Sequence, residues 1–170
     1  MTERFTSWEE LSAWRDKLLE QAGKEQYIQR LNKNTIEVLG VSFIIDPRYN
    51  VEKGVSNLEW ARKRHELVEA KVLFDINKVI KLLREDPTTR EAYILEMDYH
   101  PYNPPCNLVH HFMIRGGRLE VFVYLRSSNS LEILPLDIYS ARKVQERIAQ
   151  ELDIPIGDIT FFVGSFHVYK

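Results

Sequence analysis

The sequence contains one cysteine among 170 residues, no long apolar run and no excess of basic residues. A single cysteine excludes an internal disulfide and favours a reducing compartment, so we expect a cytoplasmic protein. No stretch approaches the roughly 20 apolar residues that a membrane-spanning helix needs. The polar opening MTERFTSWEELSAW differs from a signal peptide. The formal net charge of -2 gives no general basic surface, so we predict neither a membrane nor a nucleic-acid partner.

Several common catalytic and metal-binding signatures are also absent. The isolated Gly40, Gly54 and Gly164 match neither the dinucleotide-binding nor the P-loop glycine fingerprint. The sequence also lacks a Gly-x-Ser-x-Gly nucleophile elbow. Without a second cysteine the sequence has no zinc spacing. The adjacent His110 and His111 would point to opposite faces of a strand, one at the surface and one in the core. We therefore predict no metal site.

The elements that are present indicate a layered fold of strands and helices. We expect Ser7 and Ser56 to cap the first two helices, and the second helix can break near residues 74–75. Because strands and helices interleave around a largely antiparallel meander, the pattern favours one α/β (α+β) domain over residues 1–170, not a doubly wound one. The predicted helices span 7–23, 58–86 and 136–153, and the predicted strands span 35–47, 91–99, 106–115, 118–127 and 159–170.

Cys106 begins one arm of a predicted hairpin. A lone cysteine is commonly a small buried hydrophobe, and that interpretation stays open here. If the hairpin turns at Gly116-Gly117, paired residues sum to 233, which places Cys106 opposite Ser127 and beside Arg126. A guanidinium near the sulfur would favour the thiolate, and it can also hold a phosphate. The hairpin therefore predicts either a nucleophile or a buried filler at this position.

Four segments of the second half stand in a fixed order, namely REDPTTR at 84–90, PPC at 104–106, YLRSSNSLEILPLDI at 124–138 and GDITFFVGSFHVY at 157–169. Together they resemble the thymidylate synthase and deoxycytidylate hydroxymethylase superfamily, well over residues 84–170 and weakly before them. The resemblance implies a thymidylate synthase-like layered fold, with a mixed twisted sheet and helices on one face. It also implies a homodimer that packs through the other face.

The resemblance assigns roles to individual residues. Cys106 matches the nucleophile that adds to C6 of a pyrimidine nucleoside monophosphate, which can be dCMP, CMP or dUMP, so that C5 can meet a one-carbon electrophile. Arg90 would reach the phosphate across the dimer interface, although Glu91 stands where the family often has a second arginine. An early phosphate ligand would be Arg30 or Lys33. The remaining substrate-binding positions are Arg126 and Ser127 for the phosphate, and His167 and Tyr169 for a sugar hydroxyl.

Two acidic residues carry the specificity and the proton chemistry implied by the resemblance. Asp137 stands where thymidylate synthases have asparagine and hydroxymethylases have aspartate. A carboxylate accepts but does not donate hydrogen bonds, so it suits the 4-amino group of cytosine. The alternative is that Asp137 simply caps the following helix, and both can hold. Glu66 in RHELVEA matches a catalytic glutamate, with Glu69 as a rival and a solvated helix face as the alternative.

The positions that the family uses to bind the folate are matched less well in this sequence than those that bind the nucleotide. The family's co-substrate is 5,10-methylenetetrahydrofolate, and Asn129 matches the acidic residue that meets its pterin. Ile133 replaces a glycine, the tryptophan-rich segment after the glutamate is missing, and the sequence stops at Lys170 where the family continues. Two functions follow. One is a pyrimidine C5 hydroxymethyl- or methyltransferase that favours cytidylate. The other is a nucleotide-binding or structural protein that has lost the folate site and catalysis.

Overall fold

The computed structural model describes residues 2–22, 25–28, 33–95 and 105–170, within which it has seven strands and three helices. The predicted end of the first helix at Gly23, the predicted phosphate ligand Arg30 and the expectations for residues 96–104 lie outside these ranges. The elements in chain order are β1 (Glu3–Phe5), α1 (Trp8–Ala22), β2 (Glu25–Ile28), β3 (Lys33–Ile45), α2 (Leu58–Glu85), β4 (Tyr93–Leu95), β5 (Asn107–Arg115), β6 (Arg118–Asn129), α3 (Leu134–Leu152) and β7 (Ile156–Tyr169).

The strands form one mixed sheet in the order β1-β3-β7-β6-β5-β4, with β2 paired to β3. The pairs β1–β3 and β6–β7 are parallel, and the other pairs are antiparallel. Because parallel neighbours need a crossover, α3 carries the chain from the end of β6 back to the start of β7. This is the mixed sheet with helices that the sequence predicts.

One face of the sheet is buried beneath helices. Phe43, Phe161 and Val123 occupy adjacent register positions on that face and are fully buried. Trp14 of α1 covers it, with its ring centroid 5.7 Å from that of Phe43. Burial of such side chains stabilises the fold by roughly 1.5–3 kcal/mol each. The opposite face leaves large apolar side chains exposed to solvent, since Tyr124 and Phe162 are 40% and 37% exposed.

The sheet bends at one level across three neighbouring strands. Side chains of a strand alternate between faces, yet the core-facing set shifts by one residue at Gly40 in β3, at Gly164 in β7 and near Arg126 in β6. Gly164 has no room for a side chain, because a Cβ there would lie 2.7 Å from the Arg126 carbonyl oxygen. The bend separates residues 126–129 and 165–169 from the preceding parts of β6 and β7.

Several element boundaries differ from those predicted. Asn57, not Ser56, caps α2, because its Oδ1 accepts from the Trp60 amide at 3.0 Å. This helix continues through residues 74–75 without a break. The third helix begins two residues earlier than predicted, with Pro135 in its first turn, where the missing N–H costs nothing. The predicted loop after Ser127 is wrong at its start, since β6 continues to Asn129, and the short β1 and β2 were not predicted.

Candidate functional site

Cys106 lies at the end of the β5–β6 hairpin with an exposed side chain. The predicted register holds from Val109 onward but shifts by one residue at Asn107, so the Arg126 amide donates to the Cys106 carbonyl at 2.7 Å. The side chains still converge, because Arg126 Nη2 donates to Sγ at 3.5 Å and Ser127 Oγ lies 3.3 Å from Sγ. The exposed thiol contradicts the buried-filler interpretation.

Asp137 is a buried carboxyl held by a residue that the sequence did not single out. Its Oδ1 accepts from Arg64 Nη2 at 3.0 Å, and its Oδ2 accepts from Ser128 Oγ at 3.5 Å. Burial raises the pKa of Asp137 to about 6, and the Arg64 guanidinium opposes that rise. The helix-cap alternative is wrong, because Asp137 lies inside the first turn of α3 and the capping position is Ile133.

Glu66 is exposed on α2, and the side chain that this helix sends to Asp137 comes from Arg64. Residues two positions apart in a helix differ by about 200° around its axis, so the side chains of Arg64 and Glu66 point to opposite sides of α2. The rival Glu69 pairs with Arg147 of α3. It also lies 3.8 Å from His65 Nε2. A catalytic role for Glu66 therefore stays a prediction, and the RHEL motif gave no sign that Arg64 would be the residue in contact.

His167 and Tyr169 lie two residues apart on β7, and their ring centroids are 4.9 Å apart. Ser165 Oγ donates to the Glu37 carboxylate and lies 3.3 Å from His167 Nδ1. Since the Ser165 proton points to Glu37, its oxygen accepts from Nδ1–H, which leaves Nε2 as an acceptor. Burial lowers the pKa of His167, which favours this neutral ring. Lys33 Nζ lies 5.1 Å from the Tyr169 ring centroid.

Four consecutive residues of β6 join these groups. Arg126 and Ser127 contact Cys106, and Ser128 contacts Asp137. Ser127 and Asn129 are register partners of Ser165 and His167. The segment just beyond the bend therefore carries contacts to the thiol, the buried carboxyl and the histidine strand. Alternation along β7 could have suggested Ser165 from the sequence, but no sequence signal pointed to Glu37.

Asn129 is engaged in its own turn. Its Oδ1 accepts from the amides of Leu131 at 3.2 Å and Glu132 at 3.4 Å, and its Nδ2 donates to Glu132 Oε2 at 3.1 Å. Ile133 packs against the hydrophobic core. Because the Asn129 side chain is held within its own turn and Ile133 leaves no glycine gap for a pterin, this turn does not fit the folate. A cofactor role for Asn129 stays a prediction.

Arg90 is not brought to Cys106 within the chain. His111 Nε2 donates to the Arg90 carbonyl at 2.9 Å. Because β4 runs antiparallel to β5, with Tyr93 opposite His111, Arg90 lies beyond His111 on the side away from Cys106. Five residues of β5, or about 16 Å, separate His111 from Cys106. A ligand on Cys106 would therefore meet Arg90 only if a second chain supplied it.

The adjacent histidines differ in environment, as the strand pattern predicts. His110 is buried, its Nε2 accepts from Asn107 Nδ2 at 2.9 Å, and burial lowers its pKa to about 4. His111 is half-buried on the other face. Across residues 2–22, 25–28, 33–95 and 105–170, no three His, Cys, Asp or Glu side chains are grouped to hold a metal ion.

Comparisons with known proteins agree with the resemblance. The family model described as thymidylate synthase matches residues 5–170. Thymidylate synthase of Vesicomyosocius okutanii is 24% identical over 107 residues, 61% of this chain and 40% of that protein. Thymidylate synthase of Zymomonas mobilis is 26% identical over 112 residues, 60% of this chain and 36% of that protein. The matched region thus spans less than half the length of these relatives.

The fold comparison gives the same result. The crystal structure of thymidylate synthase from T4 phage matches with a TM-score of 0.67 and 18% identity, covering 92% of this chain and 76% of that one. At this identity the likeness establishes the fold alone, and it confirms the predicted fold class. Within the described part of the chain, each helix is too short or too polar to cross a bilayer.

Proposed function

Because this chain belongs to the thymidylate synthase family, we propose that it is a transferase acting at C5 of a pyrimidine nucleoside monophosphate. The reaction is a hydroxymethyl or methyl transfer, and Asp137 favours cytidylate over uridylate. The observation that carries the proposal is the exposed Cys106 sulfur, 3.5 Å from the Arg126 guanidinium and 3.3 Å from Ser127 Oγ. A thiolate presented beside a cation and a hydroxyl is suited to covalent catalysis.

The chemistry begins with the Cys106 thiolate. It forms a bond to C6, and the electron pair of the C5–C6 double bond moves to C5 and the C4 oxygen or nitrogen. Nucleophilic C5 then bonds either to a proton or to a one-carbon electrophile, whose carrier leaves with the electron pair of the bond that breaks. A methylene-level donor would also require water for a hydroxymethyl product or a hydride donor for a methyl product. Loss of the original C5 proton to a base and expulsion of the thiolate restore the double bond. Without a one-carbon electrophile, the same cycle exchanges the C5 hydrogen with water.

The remaining residues bind and orient the nucleotide. Arg126 can use several of its five donors, so it can hold a phosphate oxygen as well as steady the thiolate. The Ser127 hydroxyl donates a further hydrogen bond to the phosphate. His167 Nε2 accepts from a sugar hydroxyl, and Tyr169 contacts the same group. Members of this family normally take the one-carbon group from 5,10-methylenetetrahydrofolate. Since the turn at 129–133 does not fit that molecule, no step is assigned to it here.

A homodimer completes the proposed site. The sheet face opposite the helices exposes aromatic side chains, with Tyr124 and Phe162 stacked 5.0 Å apart. Exposed apolar patches of this kind are typical of protein interfaces. Packing two such faces together would bring Arg90 of the partner subunit towards the phosphate. This would explain why Arg90 lies far from Cys106 in its own chain.

The second candidate is a nucleotide-binding protein without transfer activity, and the closed turn of Asn129 favours it. Tritium release from C5-labelled dCMP and dUMP distinguishes the two. We expect release without added folate, abolished in Cys106→Ala and in Cys106→Ser. Both variants should still bind dCMP in a thermal-shift assay, which shows an intact site. Nucleotide binding without any release would identify the second candidate, and faster release from dUMP than from dCMP would exclude the cytidylate preference.

A further inference from the structure

Arg64 reaches Asp137 across 73 residues of sequence and joins α2 to α3. Its Nη2 donates to Asp137 Oδ1 at 3.0 Å, and its Nη1 donates to Ser140 Oγ at 3.4 Å. The carboxyl side chain is 4% exposed, whereas the guanidinium side chain is 30% exposed. The pair is therefore a buried anion held by a cation that still touches solvent.

The two oxygens of Asp137 are not equivalent. Oδ1 is engaged by Arg64, while Oδ2 has, within the described ranges of the chain, only the long 3.5 Å contact from Ser128. An ionised Oδ2 has lone pairs left to accept from another donor, and it has no proton to give. A protonated carboxyl would instead present an O–H, which can donate to a 4-oxo group. The protonation state of Asp137 thus decides which pyrimidine edge it can bind.

We infer that Arg64 is the positioning residue that keeps Asp137 an ionised acceptor, so that discrimination between 4-amino and 4-oxo pyrimidines depends on Arg64. The inference rests on the proposed function and adds a determinant of specificity to it. Among the described residues, the polar groups bonded to this carboxyl are Arg64 from α2 and Ser128 from β6, and only Arg64 carries a charge. Removal of that one cation leaves burial opposed by the long Ser128 hydrogen bond, so the carboxyl favours its protonated form.

The variant that tests the inference is Arg64→Met, which keeps most of the side-chain volume and removes the charge. Its matched control is Arg62→Met on the same helix, where the guanidinium is 58% exposed and lies 3.7 Å from Glu52. Dissociation constants for dCMP and dUMP are measured by calorimetry between pH 5.5 and 8. In parallel, the Asp137 carboxyl is titrated by carbon NMR in the ligand-free protein.

We expect the wild type and Arg62→Met to prefer dCMP by about tenfold or more at pH 7.5, with the preference falling below pH 6. Arg64→Met should lose that preference at pH 7.5, and its Asp137 should titrate at a higher pH than in the wild type. Arg64→Lys, which restores a cation, should recover part of the preference. If Arg64→Met fails to fold, the lysine variant supplies the test through an intermediate preference and midpoint.

The outcomes separate this inference from the proposed function. If the wild type binds neither nucleotide, the proposed function fails. If it discriminates, but Arg64→Met keeps the same dCMP preference and pH profile, only the role of Arg64 is overturned. An unchanged Asp137 titration in Arg64→Met overturns it as well, whatever the nucleotides do, and so does a loss of the dCMP preference in Arg64→Lys without a change in that titration. A loss of preference in Arg62→Met equal to that in Arg64→Met would show a general effect of helix charge.

Discussion

Asp137 places a charge on a side chain that is only 4% exposed. Burial raises its pKa to about 6 against an ordinary value of 3.8. A raised acid pKa means that the folded state binds the proton more tightly than the unfolded state. The associated stability is fully present below about pH 4 and is lost as the pH rises through 6. The molecule thus gives up stability at neutral pH to keep this carboxylate, as expected of a group retained for binding.

Asp137→Asn should therefore change the pH dependence of stability. Asparagine cannot ionise and still offers Arg64 an acceptor, so the variant should match the wild type near pH 3.5. At pH 7 it should be more stable by roughly 1–3 kcal/mol, since one pKa unit corresponds to about 1.4 kcal/mol. Urea unfolding at the two pH values measures the difference. A variant that is less stable than the wild type at pH 7 would contradict this reasoning.

The bend of the sheet is the element that brings the site together. Predicting strands from alternation succeeded over residues 119–125, where the core-facing residues are every second one. The shift near Arg126 was missed because a one-residue displacement is set by neighbouring strands and leaves no local mark. For the same reason the predicted pairing at Cys106 was one residue wrong. Side chains such as Arg126 and Ser127 could be predicted from motif spacing, whereas the long-range partners Arg64 and Glu37 could not.

Gly164→Ala tests whether the bend holds Arg126 and Ser127 against the Cys106 thiol. Its Cβ would meet the Arg126 carbonyl oxygen at 2.7 Å, and backbone cannot yield as a flexible side chain does. We expect a loss of about 1–3 kcal/mol of stability from overpacking, together with weaker dCMP binding as Arg126 is displaced. Thr160→Ala, on the same strand before the bend, is the control and should leave binding unchanged. Equal binding by Gly164→Ala and the wild type would show that the bend does not position Arg126.

At the scale of the whole molecule, the two faces of the sheet differ in what covers them. Helices bury one face, and the other presents the stacked Tyr124 and Phe162 to solvent. The fold prediction rested on hydrophobic patterning and on the family resemblance and was confirmed, but patterning cannot show what covers an exposed face. That question matters for function, because Arg90 lies on the far side of His111 from Cys106. Either Arg90 has no part in the site, or a second chain brings it there.

A mixture of two inactive variants separates these alternatives. In a dimer with shared sites, a Cys106→Ala chain can lend Arg90 to an Arg90→Ala chain that keeps Cys106. Random pairing of equal amounts gives mixed dimers in half of the population, and each has one complete site of two. Tritium release should therefore recover to about one quarter of the wild-type value. Mixing each variant with itself is the control, and sedimentation confirms the dimers. No recovery in mixed dimers would place Arg90 outside the partner's site, since a residue acting within its own chain cannot be supplied by another.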